Sequence, residues 1–297
     1  MVTFEKKFRM PELMNDKLQV VVAEKGAELQ SIVRKDLQQE YLWHAGPEWA
    51  KKSPVLFPIV GTLKNNTYTY KGKSYTLGRH GFARDKVFTL TEQTADKLVF
   101  TLTESEDSLQ VYPFHFRFQV VYAIHDTSLQ VSYIVENTGK DTMYFSVGAH
   151  PAFKVPLTEG TSYEDYYLHF NEEENDGVWP LSADGLIELT PEPFLVKTHK
   201  LALKHHLFYK DALVFKTLAS TIMELKSDKS PRGLKMQYEG FPYMGIWAAK
   251  DANFVCIEPW NGIADSVNAT GDITGKEGIH ILDAGKRFER SWTVTLF

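Results

Sequence analysis

The sequence is poor in cysteine, in long apolar runs and in charge of a single sign, and each shortage excludes something. One cysteine, Cys256, in 297 residues leaves no internal disulfide and no partner for a structural zinc site. Its expected role is a small buried side chain. No stretch approaches the ~18 apolar residues of a membrane helix, and the N-terminal "MVTFEKKFRMPELM" lacks the apolar core of a signal peptide. A soluble, cytoplasmic protein with no membrane partner is expected. The 33 Lys and Arg residues are scattered among 38 Asp and Glu, giving a formal net charge of −5. There is thus no basic footprint for a nucleic-acid backbone.

Catalytic signatures are also missing. The chain has no Walker A loop, no strand-coupled G-x-G-x-x-G, no H-E-x-x-H and no G-x-S-x-G elbow, which argues against phosphoryl transfer, dinucleotide redox, zinc hydrolysis and α/β-hydrolase chemistry. His205 and His206 are adjacent, so their side chains diverge, and with His199 they form no evident metal triad.

What is present is apolar mass and period-two patterning. Hydrophobic residues make up 43% of the chain, enough for a sizeable core. Leu129, Val131, Tyr133 and Val135 alternate with Gln130, Ser132, Ile134 and Glu136, and Trp292, Val294 and Leu296 alternate with Ser291, Thr293 and Thr295. Such runs predict half-buried strands. Further strands are expected at 18–22, 98–102, 116–124, 144–149, 213–218, 222–225, 234–238 and 254–258. Turn chemistry at "KGK" (71–73), "HDTS" (125–128) and "NTGKD" (137–141) separates many of them. Closely spaced strands without amphipathic helices predict an all-β fold, a large antiparallel β-sandwich with minor short helices. Two helical segments are expected, at 46–54 ("GPEWAKKSP") and 201–211 ("LALKHHLFYKD"). The acidic "EDYYLHFNEEEND" (164–176) reads as a solvated strand followed by a surface loop. With no linker or repeat, residues 1–297 are expected to form one domain.

Three segments concentrate Gly, Pro, His, acid and aromatic residues: "GRHGFARD" (78–85), "SVGAHPAF" (146–153) and "CIEPWNGIAD" (256–265). In the second, Ser146, Gly148 and His150 share one strand face and Phe145, Val147 and Ala149 the other, so the apolar set can fill the core while His150 faces a cleft. In the third, Cys256 and Glu258 lie opposite Val255 and Ile257. His150 and Glu258 both precede proline, which pins their backbone as extended. A histidine that titrates near neutrality and a glutamate tuned by burial suit an acid and base pair. Trp260, Trp247 and Phe153 offer flat faces for a sugar ring, and glycines 78, 81, 148 and 262 allow close backbone approach. The plainer alternative is that such residues are structural hydrogen-bonding groups, that Arg84 and Asp85 pair on a surface turn, and that Trp260 is core. Spacing alone leaves these readings open.

The segments "HGFAR", "GAHPAF" and "EPWNGIAD", in this order, resemble the aldose 1-epimerase (galactose mutarotase) superfamily, in particular its LacX-like branch. The resemblance runs from "PVLFPIVGTLKNN" through "LFYKDALVF" to "GKEGIHIL". It implies a galactose mutarotase-like supersandwich with a sugar site open to one face, a hexose or hexose phosphate as the small-molecule partner, and no metal or organic cofactor. It also implies His150 as general acid, Glu258 as general base, His80 near the ring oxygen and Asp211 on sugar hydroxyls. Arg84 resembles an arginine of the sugar-phosphate branch. The chain departs from the pattern at "VGTLKNN", where Lys64 is the cation nearest to the family's arginine. Lysine lacks the guanidinium fork, so the surroundings of the sugar must differ.

The implied activity is interconversion of α and β hexose anomers. The alternatives are a hexose-6-phosphate 1-epimerase, for which Lys64, Arg79 and Arg84 would supply cations, and a carbohydrate-binding or sensing module without turnover. An inverting glycosidase ranks last, since it needs two carboxylates about 6.5–9.5 Å apart and only one strong candidate is found. The sequence leaves a homodimer open.

Overall fold

Alternating apolar runs become sheet wherever two of them can pair, and in this chain most of them do. The computed structural model describes residues 10–297. Its largest sheet has nine antiparallel strands, in the spatial order Thr198–Ala202, Tyr166–Glu174, Ile222–Ser227, Ser230–Gln237, Arg287–Leu296, Ser128–Asn137, Phe116–His125, Lys97–Thr103 and Thr89–Gln93. The hairpin at the centre shows why. Phe116, Phe118, Val120, Tyr122 and Ile124 turn inward on one strand. Ser128 pairs with His125 across a two-residue turn in which Asp126 takes φ 52°, the positive φ that tight hairpins favour.

A second sheet carries the Ser146–Phe153 and Cys256–Asp265 segments. Phe254–Asn261 lies between Val147–Gly148 and Tyr243–Trp247, which pairs in turn with Leu213–Phe215, while Ala152–Lys154 continues the pairing along Phe254–Asn261. Every residue of Phe254–Asn261 is buried, as expected for a strand covered on both faces. Phe57 stacks on Phe118 of the large sheet, 4.4 Å between ring centroids, and lies 6.1 Å from Phe145. These rings belong to one continuous core. A smaller cluster, including Leu56, Val60, Val214, Trp260 and Ile263, packs separately. The expected antiparallel β-sandwich is therefore what forms. Among the described residues, no helix is long and apolar enough to cross a membrane.

Several local expectations need correction. Residues 46–54 form turns rather than a helix, because the Lys52 and Ser53 amides donate to Glu28 Oε1, at 2.8 and 3.1 Å, rather than to carbonyls four residues back. Residues 201–211 divide between the end of a strand and one 3₁₀ turn, His205–Phe208. The α-helix of the described residues lies at Glu106–Val111, where Ser105 and Ser108 form a reciprocal cap. The expected strand at 144–149 is interrupted at Ser146, whose amide donates to the Pro58 carbonyl (2.7 Å). The acidic run is not wholly solvated: Glu174 is buried and accepts from the Ala219 and Ser220 amides.

Candidate active site

Strand register brings the two central residues together. Val147 pairs with Asn261, Gly148 with Trp260 and Ala152 with Cys256. These pairings share one register, in which His150 stands opposite Glu258. His150 Nε2 is 3.3 Å from Glu258 Oε2, within ion-pair range but not aligned as a hydrogen bond. Both side chains reach the floor of a cleft of about 500 Å³, and His80 lies beside them. As expected from alternation, Phe145, Val147 and Ala149 enter the core while His150 faces the cleft.

His80 sits in the left-handed region, φ 68°, a conformation that non-glycine residues adopt at some energetic cost and that clusters at functional sites. Its amide donates to the Gly61 carbonyl, and its Nδ1 accepts from the Gly61 amide at 3.1 Å. The acceptor role of Nδ1 places the proton of the neutral ring on Nε2. Burial holds His80 neutral, its pKa well below the ordinary value, with His150, Arg79 and Arg84 adding repulsion.

Burial likewise pushes His150 down to about 3, helped by Arg79 and Arg84. It drives the Glu258 carboxyl in the opposite direction, well above its usual range, with Arg79 opposing. Both shifts favour a neutral pair, imidazole beside carboxylic acid, with its one exchangeable proton on the carboxyl. His150 Nδ1 has no partner beyond its own backbone, and Glu258 Oε2 has none. The Trp260 indole nitrogen lies beside the carboxyl and favours its ionised form, but without hydrogen-bonding geometry. Buried polar atoms without partners are rare in native proteins, and three of them, His150 Nδ1, Glu258 Oε2 and Trp260 Nε1, gather around this pair.

One donor atom each from His150, Cys256 and Glu258 lies within 4.8 Å of the others. The thiol is fully buried, and desolvation together with Glu258 raises its pKa well above the ordinary value.

The other expected residues divide. Arg84, Asp211, Trp247 and Trp260 line the cleft. Arg79 reaches Asp211 across it at 3.5 Å, and Arg84 donates to the Arg79 carbonyl. Lys64 does not line the cleft: its Nζ donates to the Val267 carbonyl and its amide to Asp265 Oδ2. Phe153 is fully buried in the core and offers no sugar platform. Glycines 81, 148 and 262 admit protein rather than ligand, since a Cβ on them would meet Phe57, Trp260 and Ser146 respectively. Sequence reasoning missed Trp49, Lys51, Lys210 and Lys250 as cleft residues. They lie on turns and loops whose approach to the site carries no periodic signal.

The sequence model described as aldose 1-epimerase matches residues 10–287. The chain belongs to the aldose 1-epimerase family. It is 37% identical over 267 residues to the chromosomal protein LacX of Lactococcus lactis subsp. lactis, spanning 86% of this chain and 89% of that one. Among solved structures it resembles a galactose mutarotase related enzyme from Lactobacillus acidophilus (TM-score 0.92, 37% identity, 97% of each chain). A galactose mutarotase-like protein from Lactobacillus casei is similar as well (TM-score 0.91, 29% identity, 97% of this chain and 100% of that one). Family membership places the chain among the sugar epimerases, which take small sugars as substrates.

Proposed function

We propose that the protein is a mutarotase that interconverts the α and β anomers of a hexose, with His150 and Glu258 as its acid and base. The observation that carries this reading is the pair itself, in reach of one another at the cleft floor with unpartnered polar atoms. Interconversion requires a proton to leave the anomeric hydroxyl and a proton to reach the ring oxygen. Glu258 takes the first, His150 delivers the second, the C1–O5 bond breaks, and the open aldehyde rotates about C1–C2 before closing on its other face. The pair carries one proton throughout: neutral in the resting complex with the closed ring, it shifts to imidazolium and carboxylate before the transfers and returns to imidazole and carboxylic acid against the open chain. General acid and base terms of about 10²–10⁴ each suit a reaction already measurable in water. The Nε2 proton of His80 is available to the ring oxygen, Asp211 to hydroxyls, and Trp247 and Trp260 to the C–H face.

A second reading concerns the substrate. The cleft lining gathers five cations, Lys51, Arg79, Arg84, Lys210 and Lys250, against two acids, Asp211 and Glu258, in a chain of net charge −5. That concentration favours a hexose bearing an anionic group, such as a 6-phosphate.

Saturation transfer between α and β NMR signals, with galactose, glucose and their 6-phosphates, tests both readings. Accelerated exchange, nearly abolished in Glu258→Gln while the fold persists, is expected, and the sugar that responds identifies the class. Wild-type activity in Glu258→Gln would remove the assigned base. Ligand-induced shifts without acceleration for any sugar would make the protein a carbohydrate-binding module.

A further inference from the structure

The proposed cycle requires His150 to carry a positive charge at the moment it protonates the ring oxygen, in surroundings that oppose it. The ring is nearly removed from water, Arg79 and Arg84 both repel an added charge, and the neutral His80 lies perpendicular to it at 5.7 Å. Glu258 supplies one favourable partner. Two tryptophans supply the rest, of which Trp247 meets the ring nearly at right angles at 5.7 Å. Trp49 lies over the imidazole with ring centroids 5.0 Å apart and planes only 26° from parallel. Two further rings fix it there: it stacks on Phe254 at 5.5 Å and meets Trp247 nearly at right angles at 5.4 Å. Its backbone is held as well, since the Trp43 indole donates to the Trp49 carbonyl (2.9 Å) and the Trp49 amide donates to Gly46.

We propose that Trp49 is a positioning residue for proton transfer, holding the His150 ring in plane and stabilising its imidazolium through the negative face of the indole. This rests on the acid role given to His150. A cation within about 6 Å of a tryptophan centroid is attracted by the ring quadrupole, most strongly where water is excluded. The contact gains strength only when the imidazole is charged, so it acts on the ionic form of the pair and not on sugar affinity. Turnover therefore feels it more than KM does.

Fluorination tests this with little change of shape. Tryptophans carrying one to four ring fluorines, introduced at position 49 alone by nonsense suppression, drain the π face stepwise. In the anomer-exchange assay, kcat is expected to fall with each fluorine, by about tenfold across the series, with KM nearly constant. Trp49→Phe should retain more turnover than Trp49→Leu. A kcat that stays flat across the series in an enzyme that does accelerate exchange overturns the role of Trp49 and leaves the acid and base intact. Wild-type protein without any exchange overturns both. A series in which KM alone rises also overturns it, making Trp49 a wall of the sugar site.

Discussion

Glu258 is kept protonated by a strand hidden from solvent along its whole length, and this has a pH-dependent consequence for stability. Above about pH 4.3 the unfolded chain releases this proton, while the folded chain retains it because the folded pKa is raised. The folded state then binds more protons, so this group lowers stability as pH rises towards the folded pKa. Glu258→Gln removes that penalty. Its Tm is expected to exceed wild type by a margin that is largest near pH 8 and shrinks towards pH 4, measured by thermal unfolding across pH; a margin that grows on acidification would show that the carboxyl is ionised in the fold. His150 and His280 act in the opposite sense, because burial lowers them to about 3 and about 4. The unfolded chain takes up their protons below about pH 6.5, so stability falls as pH drops from there. At this scale His150 and Glu258 were legible in the sequence, because alternation and the following prolines fix where strand side chains point. Trp49 was not, since only the folded loop brings it over His150. Lys64 was misplaced because it is close to the site in the chain but spends its ammonium on Val267.

Among the elements, the strand Phe254–Asn261 positions Trp260 between two glycines. A Cβ on Gly245 would come within 2.4 Å of the indole, and one on Gly148 within 2.8 Å. Gly148 and Tyr243 are the registered partners of Trp260 on the two flanking strands, and Gly245 lies two residues from Tyr243. The indole thus fills space left by the missing side chains. Gly245→Ala is expected to lose about 1–3 kcal/mol, the usual range for overpacking, and to raise KM by displacing Trp260. Chemical denaturation and the anomer-exchange assay check the two effects; wild-type stability would show that the indole can move aside freely. The long strands of the large sheet were legible because one face alternates with the other. The short strands were less so: Phe254–Asn261 shows no alternation when buried throughout, and Leu213–Phe215 stops before Lys216, short of the expected 213–218. Residues 46–54 look helical in composition, yet the Glu28 carboxylate, distant in sequence, takes the amides that a helix would use.

For the molecule as a whole, charge is distributed against its own sum: an anionic chain opens a cationic cleft. A sugar phosphate carries a charge of about −1.5 to −2 near neutrality, so this field would draw it in, whereas a free hexose would gain nothing from it. Raising salt from 0.1 M to 1 M contracts the Debye length from about 10 Å to about 3 Å. KM for a hexose 6-phosphate is therefore expected to rise severalfold over that range while KM for the unphosphorylated sugar stays level, with kcat constant for both because the buried pair lies out of reach of mobile ions. Anomer-exchange rates at graded ionic strength distinguish the cases. Equal salt dependence for the two sugars would mean that the five cations are a solvated rim that the substrate does not use. A difference confined to the phosphate would show that the cleft's charge selects the substrate, leaving the chemistry to His150 and Glu258 at the floor.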